Sequence, residues 1–165
     1  MLSKQMVNAL NKQINAEFYA STLYLQMSAW CNSKGLPGCA AFLGRQSAEE
    51  TQHMMKLFRY VSETGALPLV GELSAPPAQF ASVHKVFELT YQHEVDVTQR
   101  IYHLVETAQK EKDHSTYHFL QWYVAEQHEE ENLFKNILDK FKLIGTDGRG
   151  LFFIDREIAE LTRAK

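Results

Sequence analysis

Residues 49–53 read Glu-Glu-Thr-Gln-His, and residues 126–131 read Glu-Gln-His-Glu-Glu-Glu. Both stretches lie inside segments whose apolar residues recur every three or four positions, as they do along the buried face of an amphipathic helix. Each stretch puts carboxylates and amides on that face, where the repeat calls for apolar residues. These two interruptions are therefore the best guide to both the fold and the chemistry.

The same interruption occurs in four helical segments. Their buried positions run from Val7 to Cys31, from Cys39 to Tyr60, from Val83 to Ala108 and from Leu120 to Phe141. The charged and amide residues near the middle of these faces are Glu17, Glu50, His53, Glu94, Gln127 and Glu130. Four helices with the same defect at the same depth predict one shared polar site inside a helical bundle.

Glycine, proline and polar residues mark where the helices end. Residues 34–38 predict a turn, residues 65–82 predict a long irregular link, and residues 111–115 predict a third break. Residues 145–150 are expected to end the fourth helix. A short amphipathic segment at 151–163 then predicts a fifth helix.

We therefore expect residues 1–165 to form a single all-α domain, with a four-helix bundle at about 5–144 and a short fifth helix at about 151–163. A helix of about 28 residues is roughly 42 Å long, while about 18 extended residues reach roughly 60 Å. The link at 65–82 is thus long enough to run the length of the bundle. Two helical hairpins joined by such a crossover are the predicted topology.

The spacing of the interruptions supports two matching hairpins. Glu17 and Glu50 are 33 residues apart (50 − 17), and so are Glu94 and Gln127 (127 − 94). The midpoint of each pair falls beside a predicted break, so the two residues of a pair lie level in an antiparallel hairpin. An offset of 77 maps Glu17 onto Glu94 (94 − 17), as in a diverged duplication. The four positions are therefore expected to meet near the middle of the bundle.

A group of buried carboxylates requires protons, cations or a metal, because an unpaired buried charge costs several kcal/mol. No Lys or Arg occupies the predicted buried faces, so metal is the preferred interpretation. Glu50 and His53 are three residues apart on one helix, a spacing that points both side chains at one ion. Oxygen-rich ligation with imidazole favours iron or manganese over structural zinc. A metal-free polar layer explains one such pair more easily than the whole mirrored set.

Composition argues against several classes of partner. The chain has 165 residues, with 17 Lys+Arg against 20 Asp+Glu and a formal net charge of −3. It therefore lacks a basic field that would attract nucleic acid or an anionic membrane. No stretch approaches the roughly 18 apolar residues of a membrane span, and the N-terminus lacks a signal-peptide core, so a cytoplasmic protein is expected. Cys31 and Cys39 are expected to be free thiols in that reducing compartment.

These residues make the chain resemble the bacterial non-haem ferritins over essentially its whole length. The motifs that carry the resemblance are Asn-Ala-Glu-Phe-Tyr at 15–19, Ser-Ala-Trp-Cys at 28–31, Glu-Glu-Thr-Gln-His at 49–53, Phe-Leu-Gln-Trp-Tyr-Val-Ala-Glu-Gln-His-Glu-Glu-Glu at 119–131 and Gly-Leu-Phe-Phe-Ile-Asp at 150–155. The resemblance implies an all-α, ferritin-like four-helix bundle with a long crossover between helices 2 and 3 and a short fifth C-terminal helix. It also implies a hollow shell of 24 subunits, about 456 kDa (24 × 19.0), with the fifth helix lining the fourfold axis.

The resemblance further implies a set of iron-binding residues. A first iron site is matched by Glu17, Glu50 and His53. A second is matched by Glu94 and Glu130, with Glu50 bridging and Gln127 close by. A third site nearer the cavity is matched by Glu49, Glu126, Glu129 and Glu130. The alternative for Glu49 and Glu129 is an ordinary solvated helix face.

Two aromatic residues are candidates for electron donation to this centre. Tyr24 lies seven residues after Glu17 on the same helix face, and the matching tyrosine of the family lies beside the di-iron centre; the alternative is an ordinary core tyrosine. Trp122 is a weaker candidate. No haem is expected, because Thr51 stands where the haem-containing relatives carry their ligating methionine, and residues 127–130 lack their second Glu-x-x-His.

The function implied by the resemblance is iron storage and detoxification. Fe(II) would be oxidised by O2 or H2O2 at the di-iron ferroxidase centre, and ferric oxyhydroxide would be deposited inside the shell. A rival is a di-iron oxygenase acting on an organic substrate, which requires a substrate channel and a reductase. A purely structural bundle is the third possibility and predicts no iron oxidation.

Overall fold

Five α-helices make up the computed structural model, which describes residues 2–163. They are Lys4–Ser33 (α1), Pro37–Glu63 (α2), Val83–Glu111 (α3), His114–Ile144 (α4) and Gly148–Arg163 (α5). The four long helices, the long link between α2 and α3 and the short fifth helix confirm the predicted fold class. None of the helices within residues 2–163 has the length and apolarity needed to span a membrane.

The start of α5 differs from the sequence prediction, which placed it near residue 151. The helix begins at Gly148, directly after Asp147. The Asp147 side chain accepts a hydrogen bond from the Gly150 amide at 2.6 Å, and its carbonyl accepts one from the Leu151 amide at 2.8 Å. Asp147 thus caps the first turn and makes Gly148 and Gly150 helical, although glycine lowers helix propensity.

The other helices begin at residues that satisfy their free amides. Ser3, Ser82 and Asp113 each accept a hydrogen bond from the amide three residues on, as N-caps do. The first residue of α2 is Pro37, and its N-cap makes no side-chain hydrogen bond. A residue from the other end of the chain takes that role, as described below for α5.

The long helices run antiparallel to their neighbours. Helix α1 packs against α2 and α3, α3 packs against α4, and α5 packs against α2 and α4. The hydrogen-bonded pairs that join α2 to α4 are Gln46 with Glu130, His53 with Tyr123, and Tyr60 with Thr116. Successive pairs are seven residues apart on both helices but in opposite directions. Helices α2 and α4 are therefore antiparallel and stay in the same register across all three pairs.

The link between α2 and α3 follows α1 towards the end that carries the α1–α2 turn. The Asn11 side chain donates to the Leu67 carbonyl at 3.2 Å and accepts from the Leu69 amide at 2.9 Å. Further along, the Trp30 and Phe80 rings lie 5.6 Å apart. The link therefore runs along most of α1, as its length predicted. It allows the α3–α4 hairpin to run opposite to the α1–α2 hairpin.

Two separate hydrophobic clusters fill the bundle. One lies at the end with the α1–α2 turn and includes Phe42, Phe134 and Ile154 of α5. The other lies at the opposite end and includes Leu10 and Leu57. The polar residues singled out by the sequence occupy the layer between them. Burial of both clusters stabilises the bundle and holds this layer away from water.

Helix α5 is fastened to the start of α2. The Asp155 side chain accepts hydrogen bonds from the Gly38 amide at 3.0 Å and the Cys39 amide at 2.8 Å, which caps the positive end of α2. The close packing of α5 on the start of α2 requires glycine at position 38. A Cβ there would lie 2.1 Å from the Asp155 carbonyl oxygen and 3.0 Å from the Ala159 Cβ. Lys140 of α4 adds an ion pair to Glu157 at 2.7 Å.

The replacement Gly38→Ala is expected to lower the free energy of unfolding by about 1–3 kcal/mol, because α5 must move off α2 to avoid the new methyl group. Chemical denaturation followed by circular dichroism measures this change. Gly44→Ala is the matched control on the same helix, since its Cβ would meet only the Ser28 hydroxyl at 3.5 Å. Equal stability for the two variants would contradict the proposed fit of α5.

Candidate metal centre

All six residues that interrupt the helical repeats lie in one buried layer. The exposed fraction is 1% for Glu17, Glu94 and Glu130, 2% for Glu50 and Gln127, and 4% for His53. Each helix of the bundle contributes at least one of them, because the interruptions lie at the same depth in two matched hairpins. The layer thus contains four carboxyl groups, one imidazole and one amide.

Glu17, Glu50 and His53 form the tightest group. Each offers a ligand atom, and these atoms lie within 4.8 Å of one another; it is the one such group of three or more in residues 2–163. His53 Nδ1 lies 3.3 Å from Glu50 Oε2, as the three-residue spacing on α2 predicts. The Tyr123 hydroxyl donates to the His53 carbonyl at 2.7 Å and ties this turn of α2 to α4.

Glu94 is held from two sides. The Tyr24 hydroxyl donates a short hydrogen bond to Glu94 Oε1, and Gln127 Nε2 donates to Glu94 Oε2 at 3.0 Å. These contacts connect α1, α3 and α4 at the predicted site. Glu130 receives a hydrogen bond at 2.9 Å from Gln46 Nε2, a residue of α2.

Three carboxyl groups of the layer, those of Glu17, Glu50 and Glu94, keep protons to higher pH than usual. Burial raises the pKa of Glu17, Glu50 and Glu94, and that of Glu94 reaches about 8. Next to burial, the negative charges of Glu94, Glu17 and Glu130 raise the pKa of Glu50 well above its ordinary range. The neighbouring carboxyl groups of Glu17 and Glu50 also influence each other, and the negative charge of Glu17 adds to the rise in the pKa of Glu50.

The chemistry of this group fits a metal cation. Glu17 Oε2 and Glu50 Oε1 are buried and accept no hydrogen bond within residues 2–163. Neither residue forms a salt bridge with a described Lys or Arg, although the charge of exposed Arg100 lowers the pKa of Glu17 against the larger effect of burial. Oxygen donors with one imidazole suit iron or manganese. A divalent cation bound by this group would neutralise the negative charge of its carboxylates.

The residues predicted for a third site are only partly gathered. Glu126 Oε1 lies 3.7 Å from His53 Nε2, on the side away from Glu50. Glu49, Glu126 and His53 line one cavity of about 600 Å³ between α2 and α4. Glu129 is exposed and is not among the residues that line this cavity, whereas Glu130 is buried in the metal layer. Of the residues predicted for the third site, Glu49 and Glu126 thus share one cavity with His53.

The two aromatic candidates contact different residues of the layer. Tyr24 is fully buried, and burial raises its pKa well above the ordinary value, so its hydroxyl stays protonated and donates to Glu94. The Trp122 ring lies 5.4 Å from the His53 ring and is 38% exposed at the cavity. Tyr24 thus contacts Glu94 and Trp122 contacts His53, while electron donation by either residue stays a prediction.

Sequence reasoning did not single out two buried amides as residues of the site. Gln13 and Gln46 donate hydrogen bonds to Glu17 and Glu130, and each lies four residues before a carboxylate of its own helix. This four-residue spacing is the signal in the sequence that could have identified the two amides. His93 of α3 is half-buried, with its ring 5.8 Å from the Tyr24 ring of α1.

Comparisons with known proteins match nearly the whole chain. The ferritin-like domain family matches residues 7–144. A probable bacterial non-haem ferritin-like protein of Haemophilus influenzae is 52% identical over 162 residues, or 98% of each chain. A bacterial non-haem ferritin of Escherichia coli O157:H7 is 48% identical over 161 residues, again 98% of each. The solved open pore ferritin from Archaeoglobus fulgidus is 48% identical, with a TM-score of 0.93 and 96% of both chains covered.

The stability of the metal-free protein is expected to depend on the proton of Glu94. Because the pKa of Glu94 rises from 4.5 in the unfolded chain to about 8 on folding, the proton stabilises the fold fully below about pH 4.5. This stabilisation is lost as the pH rises through 8. The advantage of Glu94→Gln over the natural chain should therefore grow by about 2 kcal/mol or more between pH 5 and pH 8.

Urea unfolding in the presence of a chelator measures this difference at the two pH values. Glu129→Gln is the matched control, because Glu129 is exposed and should show no such growth. A Glu94→Gln advantage that is the same at pH 5 and pH 8 would refute the assignment of a retained proton.

Proposed function

The chain belongs to the ferritin family, among the bacterial non-haem ferritins, and from that premise we propose that it oxidises Fe(II) and stores the ferric product. The observation that carries the proposal is the buried group of Glu17, Glu50 and His53, whose carboxylates form no salt bridge with a Lys or Arg among residues 2–163. A helical bundle without metal would gain stability from apolar residues at these positions. Their burial is explained if a cation binds there.

Two Fe(II) ions are the proposed substrate of this centre. Glu17, Glu50 and His53 would bind the first ion. Glu94 and Glu130 would bind the second, with Glu50 shared between the ions and Gln127 beside them. The burial of all six residues in one layer supports a pair of adjacent ions.

Oxidation follows from the charge of the ligands. Anionic oxygen donors stabilise Fe(III) relative to Fe(II), so the bound pair gives up electrons readily. Two Fe(II) ions supply two electrons, which with two protons reduce O2 to H2O2, or reduce H2O2 to water. Fe(II) binding displaces the protons held by Glu50 and Glu94, so proton release should accompany loading.

Residues beside the centre are proposed to supply electrons and to pass iron on. Tyr24 donates its hydroxyl proton to a hydrogen bond with Glu94, which suits it to give up an electron to the bound pair. Glu49, Glu126 and Glu129, together with Glu130, would bind a third ion on the way to the mineral. The shared cavity of Glu49 and Glu126 supports this role.

We propose that residues 1–165 form one domain, and that 24 copies assemble into a hollow cytoplasmic shell around the ferric mineral. Large apolar side chains stay exposed in the isolated subunit, on the link at Leu67, Leu69 and Val70 and on α5 at Phe152 and Phe153. Such patches are typical of protein–protein interfaces. Shell contacts would cover them.

Aerobic loading of the metal-free protein with excess Fe(II), followed by a sizing column, tests storage directly. Retention of far more than three iron ions per chain in a particle near 456 kDa (24 × 19.0) is expected. Retention of two or three ions in a small particle would replace storage with di-iron oxygenase chemistry. No retention and no oxidation would leave a structural bundle.

The replacement His53→Ala is expected to slow the fast phase of Fe(II) oxidation by about tenfold or more, because the first ion loses its only imidazole ligand. Stopped-flow absorbance of the ferric product measures the rate, and the sizing column checks that the particle is intact. His118→Ala removes an exposed histidine and serves as the control. An unchanged initial rate in the His53 variant would contradict the assignment of His53 as a ligand of the first iron ion.

A further inference from the structure

Two glutamine side chains lie against the carboxylates of the proposed iron centre. Gln13 is 2% exposed, and Gln46 is fully buried. Gln13 Nε2 donates to Glu17 Oε1 at 2.9 Å within α1. Gln46 Nε2 donates to Glu130 Oε2 at 2.9 Å, and this bond crosses from α2 to α4. Each amide therefore restrains one carboxylate through one of its oxygens.

The position of Gln46 has a cost for folding. Its Oε1 atom is buried and has no hydrogen-bond partner in the described part of the chain. An unsatisfied buried acceptor of this kind costs about 1–3 kcal/mol. A methionine has similar length and no such acceptor, so it would fill the space without this penalty. The fold alone therefore gives no reason for an amide here, whereas its N–H has a defined partner in Glu130.

The hydrogen bonds leave other carboxylate atoms for a cation. Glu17 is held through Oε1, while its Oε2 is buried and has no hydrogen-bond partner among the described residues. A neutral amide orients the carboxylate and leaves its negative charge intact, whereas Lys or Arg would neutralise it. Gln127 restrains Glu94 in the same manner. No amide among residues 2–163 donates to Glu50, the ligand proposed to be shared by both ions.

We propose that Gln13 and Gln46 are positioning residues of the iron centre, which hold Glu17 and Glu130 in binding geometry before metal arrives. This inference rests on the proposed function, because it assigns Glu17 to the first ion and Glu130 to the second. Gln13 acts on the first ion through Glu17, and Gln46 acts on the second through Glu130. The two amides thereby set the affinities of the two ions separately.

Anaerobic titration of the metal-free full chain with Co(II), followed by calorimetry and by visible absorption of the bound ion, tests the proposal without any oxidation step. Gln46→Met is expected to weaken binding of the second Co(II) by about tenfold or more and to leave the first unchanged. Gln13→Met is expected to weaken the first by a similar factor. Each variant is the matched control for the other.

Exposed Gln92 provides a further control, since Gln92→Met should bind both ions as the natural chain does. Thermal unfolding of the metal-free variants separates positioning from folding, because Gln46→Met should unfold at the natural temperature or above it. Unchanged Co(II) affinities in both variants, or equal losses at both ions, would overturn the inference. Failure of the natural chain to bind two Co(II) ions would instead overturn the proposed function.

Discussion

Four carboxyl groups buried in one layer are the constraint on which the rest of the structure depends. Ionised together without a cation, they would repel one another in a medium that screens charge poorly. The bundle accommodates them by surrounding the layer with two hydrophobic clusters, which supply the stability that the layer lacks. In the metal-free protein the high pKa values of Glu50 and Glu94 remove part of the charge.

Neutral hydrogen-bond donors complete this arrangement. Amides from Gln13, Gln46 and Gln127 and the hydroxyl of Tyr24 all point into the layer. They fix the orientation of the carboxylates while preserving the negative charge that a cation requires. A site of this type lowers the stability of the metal-free fold but favours the binding of a cation, as expected where selection acts on function.

The antiparallel register of the four long helices brings the residues of the polar layer to one depth in the bundle. The link along α1 allows the second hairpin to run opposite to the first, so residues at equal distances from their turns arrive at one depth. The α2–α4 contacts keep this register from Gln46 to Tyr60. Asp155 of α5 caps α2 at the far end and so joins the last helix to the element that carries Glu50 and His53.

The sequence by itself determined the four long helices, the crossover, the depth of the polar layer and the six residues in it. These features follow from helical periodicity and from distances to the turns, which are properties of short stretches. Only the tertiary structure decided which donor meets which carboxylate, such as Gln46 with Glu130 across 84 residues of chain. It also decided that Asp147 starts α5 early and that Glu129 points to solvent. Such contacts depend on how neighbouring helices rotate and tilt against one another, and no local repeat encodes that.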